Sequence, residues 1–163
     1  MTNNDVFRRI RYTFDLNDSK MMAIFAAADC SVTREQVCGW LKKDDDEAAL
    51  IASDTDLAAF LNGFINTHRG KRDGAQPELE TRLTNNIILR KLRIALDMQA
   101  EDILETLQVA GFRLSKHELS AFFRKPDHKN YRECKDQILR NFLMGMQRQL
   151  RPEDISEYQQ DDD

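Results

Sequence analysis

Thr84-Asn85-Asn86-Ile87-Ile88-Leu89-Arg90-Lys91-Leu92-Arg93-Ile94-Ala95-Leu96-Asp97 decides the fold, because the chain has already written nearly the same line at Thr2-Asn3-Asn4-Asp5-Val6-Phe7-Arg8-Arg9-Ile10-Arg11-Tyr12-Thr13-Phe14-Asp15. The two lines stand 82 positions apart, and that spacing runs without a gap to Arg69 and Arg151. Self-similarity at a fixed spacing marks a duplicated supersecondary unit. The chain therefore divides into a first repeat at 1–69, a connector at 70–83, a second repeat at 84–151 and an acidic, disordered tail at 152–163.

Working outward, each repeat reads as about four helices. The Thr-Asn-Asn triplets are good helix starts, since their side-chain oxygens accept from unpaired first-turn N–H groups, and Thr2 with Asp5 approximates a capping box. Val6, Phe7, Ile10 and Phe14, answered by Ile88, Leu89, Leu92 and Leu96, recur at helical spacing as a buried stripe. The opposite face is basic: Arg8, Arg9 and Arg11, then Arg90, Lys91 and Arg93. Arg11 with Asp15 and Arg93 with Asp97 have i,i+4 ion-pair spacing. A second helix is predicted over 17–28 and 99–110, with Gly111 as a left-handed C-cap. Thr33-x-x-Gln36 and Ser115-x-x-Glu118 are capping boxes that start a third helix at the same place in both copies. The fourth helix carries Leu57, Phe60, Leu61 and Phe64, then Ile138, Leu139, Phe142, Leu143 and Met146. In the second copy the apolar spacing extends back through Cys134 to Tyr131 and predicts a start near Asn130.

Gly63 and Gly145 fall at matching positions inside these stripes, where glycine costs about 1 kcal/mol relative to alanine. The expectation is that the two fourth helices cross near a pseudo-two-fold axis, with the glycines allowing close approach. No stretch alternates with a period of two. Open solenoids need three or more repeats, so the predicted fold is all-α, a tandem duplication packed as a compact pseudo-two-fold helical bundle.

Composition bounds the function. A chain of 163 residues, 41% hydrophobic and 32% charged, suits one shared core. No apolar run approaches the ~18–20 residues of a membrane span, and Arg8, Arg9 and Arg11 interrupt any signal-peptide pattern, which points to a cytoplasmic protein with no membrane partner. Cys30, Cys38 and Cys134 are odd in number and lack CxxC spacing, as expected of buried thiols. The formal charge of −4 is uneven. Residues 2–69 hold 8 Lys/Arg against 11 Asp/Glu, residues 84–151 hold 13 against 8, and 152–163 hold six acids and no base.

Little of this resembles catalysis. There is no phosphate-binding glycine loop and no HExxH, and His117, His128 and Cys134 match no standard zinc spacing. The sequence therefore argues against an enzyme and names no catalytic residue, metal ligand or cofactor. Two surfaces are candidates for binding. The first is the helix-one face with Asn3, Asn4, Arg8, Arg11, Asn85, Asn86, Arg90 and Arg93. It suits a non-enzymatic interaction module whose partner is another protein, a second copy of the chain or a small effector between the repeats. Capping explains the asparagines equally well. The second is the helix-turn-helix-like unit of the basic second repeat, where Arg113, Lys116, His117, Ser120, Arg124 and Lys125 are candidate nucleic-acid contacts. Its turn is longer than in compact repressors, and the pI of about 5.4 stands against it.

The doubled Thr-Asn-Asn opening, the segments VTREQVCGWLKK and LSKHELSAFFRKPDHKNYRECKDQILRNFL, and the intervening HRGKR resemble the YehS-like family of bacterial proteins, a domain of unknown function. The resemblance covers about residues 1–151 and leaves out the acidic tail. It implies a cytosolic bacterial protein and brings with it no catalytic residues.

Overall fold

Side-chain oxygens begin most of the helices, as the sequence predicts. The computed structural model describes residues 1–154 and forms eight helices there: α1 Asn3–Thr13, α2 Asp18–Ala27, α3 Arg34–Leu41, α4 Asp54–Arg69, α5 Asn85–Ala95, α6 Ala100–Val109, α7 Lys116–Phe122 and α8 Asp136–Leu150. Full capping boxes form at Thr2/Asp5, Thr33/Gln36 and Ser115/Glu118, and a further one at Ser53/Asp56 opens α4. Most of the tail expected to be disordered lies outside the described residues. Among the described residues there is no strand, and no helix is long and apolar enough to cross a membrane.

Two local expectations are corrected. The second copy's fourth helix starts at Asp136 rather than near Asn130, because the main chain around residues 132–134 is held outside the helix by bonds to the Asn86 side chain. Cys134 is buried from this non-helical run, so its apolar spacing mimicked another helical turn. The i,i+4 ion pairs do not form either. α1 and α5 end before Asp15 and Asp97, whose backbones turn left-handed with φ of 53° and 51°. Both carboxylates instead face the opposite repeat. A third left-handed aspartate, Asp29 at φ 57°, occupies the place that Gly111 takes at φ 79° in the second repeat.

Within each repeat the second helix packs on the third and fourth, α2 on α3 and α4, and α6 on α7 and α8. Between repeats, α1 lies against α8 and α5 against α4. The resulting core is continuous, running from Phe7, Phe25 and Phe60 of the first repeat to Leu89, Leu92 and Phe142 of the second. Reciprocal contacts seal the junction. Arg69 pairs with Asp97 at 3.2 Å, and its equivalent Arg151 pairs with Asp15 at 3.3 Å. The backbone nitrogen of Leu83 donates to Asp54 at 2.8 Å, and that of the equivalent Met1 donates to Asp136 at 3.0 Å.

The glycines do permit close approach, but within each repeat rather than between the fourth helices. A Cβ on Gly63 would stand 1.8 Å from the Ile24 carbonyl oxygen, and one on Gly145 would stand 2.0 Å from that of Thr106. Backbone cannot yield as a flexible side chain can. Gly63→Ala and Gly145→Ala should therefore each cost about 3 kcal/mol in urea unfolding, by forcing helices two and four apart. A loss under about 1 kcal/mol for either would contradict this packing, since that is all an ordinary propensity change involves.

Candidate functional site: a basic cleft between the repeats

The doubled Asn-Asn is scaffold. Asn4 Nδ2 donates to the carbonyls of Trp40 (3.1 Å) and Leu50 (2.6 Å), while its Oδ1 accepts from Ala52 N at 2.9 Å. Asn86 repeats the pattern with Phe122 O (3.1 Å), Arg132 O (2.8 Å) and Cys134 N (3.0 Å). Asn3 Nδ2 reaches Ala52 O and Asp54, and Asn85 Nδ2 reaches Cys134 O and Asp136. The four asparagines expected at a binding face thus spend their amide groups on the fold, and Asn4 and Asn86 are buried. Asn4→Asp puts carboxylate oxygen against two carbonyl oxygens, so it should cost about 3 kcal/mol in urea unfolding at neutral pH. A neutral result would contradict the assignment.

The basic side chains of helix one are placed differently in the two copies. Arg8 donates to Lys42 O at 2.8 Å and to Asp5 at 2.7 Å, and Asp44 lies 3.6 Å away. Arg11 pairs with Asp18 on α2 and, by that hydrogen bond chiefly, holds the carboxyl below its usual pKa. Arg9 crosses to α8, donating to Gln147 Oε1 at 2.5 Å with Met144 Sδ at 3.6 Å. Its equivalent Lys91 crosses to α4, meeting Asn62 Oδ1 at 2.5 Å and the connector carboxylate of Glu80 at 2.9 Å. Lys91 is only 9% exposed, so these partners take the place of its hydration. Arg93 stacks over Phe123, 4.7 Å from the ring centre, and donates to Met98 O. Arg90 is half-buried on α5.

Around the first copy of this face lie two flanking clefts. One, of about 470 Å³, is lined by Met1, Asp5, Arg8, Arg9, Tyr12, Arg140 and Gln147, and so sits between α1 and α8. The other, of about 400 Å³, shares Arg8 and Tyr12 and adds Arg11, Asp15, Lys20 and Arg151 among its walls. Six cationic side chains, Arg8, Arg9, Arg11, Lys20, Arg140 and Arg151, line the two clefts with Asp5 and Asp15, and Asp18, Asp44 and Glu153 pair with Arg11, Arg8 and Arg151. At the rim the Arg151 guanidinium stands 4.5 Å over the Tyr12 ring. The Tyr12 hydroxyl donates to Asp154, and that bond raises the phenol's pKa.

Of the helix-one residues the sequence singled out, Arg8 and Arg11 line these clefts, whereas Arg90 and Arg93 lie on the other helix one, α5. Sequence reading overlooked Tyr12, Lys20 and Arg140, and left Arg9 out of the site. The overlooked signal was divergence between the copies. Tyr12, Lys20 and Arg140 correspond to Ile94, Asp102 and Ala58.

The second basic set is more dispersed in role. Lys116 is paired with Glu101 at 2.6 Å, and the Ser120 hydroxyl donates back to His117 O at 2.8 Å. The would-be recognition helix α7 has 7 residues and exposes Glu118 beside His117. Both side chains line a groove of about 490 Å³ together with Phe112, Leu114, Ala121 and Ile138. Arg113 and Lys125 are exposed and Arg124 half-buried. Among the described residues no three His, Cys, Asp or Glu side chains group as metal ligands. Cys134 is buried and its thiol is pushed by that burial up to about 12, while Cys30 and Cys38 are half-buried rather than buried.

The structure defines a class: a duplicated all-α module whose repeats share one core and enclose a basic cleft at their junction. The chain belongs to the family described as "Protein of unknown function (DUF1456)", whose profile matches residues 3–70 and again 85–151. It is similar to "Uncharacterized protein YehS" of Escherichia coli (strain K12), with 44% identity over 147 residues covering 90% of this chain and 94% of that one. No solved structure matches it.

Proposed function

We propose that this protein is a non-enzymatic, cytoplasmic interaction module that holds an acidic ligand, a small effector or a protein segment, in the cleft between its repeats. The observation that carries the reading is the gathering of six cationic side chains along two adjoining clefts, where Arg8, Arg11 and Arg151 already hold carboxylates of the chain itself. Concave, water-filled positive surfaces concentrate anions, and guanidinium groups bind carboxylate or phosphate with two parallel hydrogen bonds. Arg140 reaches this site from the second repeat and Arg8 from the first, so the ligand bridges the duplication. The alternative of a nucleic-acid protein rests on the second repeat. There the Lys116–Glu101 pair and exposed Glu118 put negative charge where phosphates would lie.

Backbone amide NMR shifts during titration with sodium tripolyphosphate and with citrate at low salt test the reading. The expected outcome is saturable shifts around Arg8, Tyr12, Lys20 and Arg140, weakened about tenfold in a Lys20→Ala/Arg140→Ala variant and weakened further by added salt. Shifts centred on Arg113, Arg124 and Lys125, or no saturable shifts, would overturn it.

A further inference from the structure

The two repeats have diverged in complementary ways at one equivalent place. In the first repeat the run 48–51 is held by its backbone: Leu50 N donates to Gly39 O at 2.9 Å, and Asn4 fixes Leu50 O and Ala52 N on either side of Ile51. From this fixed run Ile51 stands 93% exposed and Leu50 44% exposed, with Ala48 exposed beside them. The second repeat makes the same bonds, from Arg132 N to Ala121 O at 3.2 Å and from Asn86 to Arg132 O and Cys134 N, but puts Arg132 and Glu133 at the two positions. The groove of about 490 Å³ shows the opposite change. Phe112, Leu114 and Ile138 line it where the first repeat has Cys30, Val32 and Asp56. Leu50 itself lies on the α3 backbone, since a Cβ on Gly39 would stand 2.6 Å from its Cδ1, and the equivalent of Gly39 is the groove residue Ala121. One repeat therefore displays an aliphatic knob, and the other carries an apolar hollow.

We propose that this protein associates with a second copy of itself, Ile51 and Leu50 of one molecule docking against Phe112, Leu114 and Ile138 of the next. Adjacent exposed aliphatic side chains on a rigid run mark a contact surface. Charge selects the partner. The knob follows Asp44-Asp45-Asp46-Glu47, all exposed, and exposed Arg113, Lys129 and Arg132 border the groove. The acids at the groove are engaged within the chain: Glu118 accepts from Ser115 N at 3.3 Å, and Glu133 pairs with Lys135 at 3.0 Å. An acidic knob and a basic rim attract each other and fix the register of docking. Because the backbone on both sides of Ile51 is already bonded, docking orders little chain. The same bonds hold the knob to its own repeat, so it reaches the groove of another molecule. Knob and groove are different surfaces, and the contact is therefore head-to-tail rather than two-fold symmetric.

Sedimentation velocity of the whole protein over a range of concentrations tests this. The expected result is a mass that rises with concentration above that of one chain, with association weakened by added salt. Ile51→Glu gives the knob the residue type that the second repeat has at the equivalent position, and Ile138→Asp gives the groove that of the first repeat, in the first turn of α8 where an acid is favourable. Each substitution alone should weaken association at least about tenfold, the loss expected for one buried aliphatic side chain. Mixed in equal amounts, the two variants should form a dimer that does not extend, because one keeps only its groove and the other only its knob. A protein that stays monomeric at every concentration would overturn the proposal. So would association that neither substitution weakens, or a loss that mixing fails to restore, which marks a symmetric contact or a damaged fold.

Discussion

The buried amide of Asn4, with Asn86 as its copy, joins three pieces of chain that the sequence keeps far apart. It ties the start of helix one to the end of helix three and to the run that precedes helix four. Without it, two carbonyls and one N–H would be left unpaired in a low-dielectric interior, which no other geometry of that run repairs cheaply. That run sets where α4 and α8 begin, and hence where Asp54 and Asp136 stand at their first turns. Those carboxylates in turn receive Leu83 N from the end of the connector and Met1 N from the opposite repeat. Local pairing in each copy therefore places the contacts that dock the copies, and docking brings α8 beside α1 to form the cleft.

The two repeats share this frame and differ in how they finish it. On one side the groove is filled by the chain's own Glu80, which lies on an almost buried lysine. On the other, Arg9 takes the place of the lysine, and Arg140 and Tyr12 are added along the cleft. A buried cation and a solvent-facing one obey different economies. Lys91 must keep its partners because removing one strands a desolvated charge. Duplication built a shared frame, and divergence at a few positions finished its two sides with different side chains.

What was legible in the sequence was what depends on near neighbours. Capping boxes at Thr2, Thr33 and Ser115 were readable because partner and cap lie three residues apart. The matched glycines announced a close approach, but helical periodicity does not say which backbone comes near, and it was the second helix of the same repeat. Asn4 was legible as a cap and not as a bracket, since its partners lie 36, 46 and 48 residues away. Tyr131, Cys134 and Ile138 misled because a spacing of three or four fits a helix and a bent, half-buried run alike. Arg11 and Asp15 had the right spacing for an ion pair, but the left-handed turn after α1 directs the carboxylate to Arg151. Of the site, Arg8 and Arg11 stood out as charges on one face. Arg140 did not, because nothing in local pattern says that α8 of one repeat lies on α1 of the other.

The central claim is that the repeats form one body and that the cleft exists only because they do. Urea unfolding followed by two site-specific probes tests it directly. Trp40 is the only tryptophan and reports the first repeat, and Cys134 reports the second through pulsed alkylation, which a buried thiol raised to about 12 resists until it is exposed. The account predicts the same midpoint and slope from both probes, as a single cooperative transition requires. Separate midpoints would show two independently stable repeats, and the cleft would then be a contact between domains rather than a product of the fold.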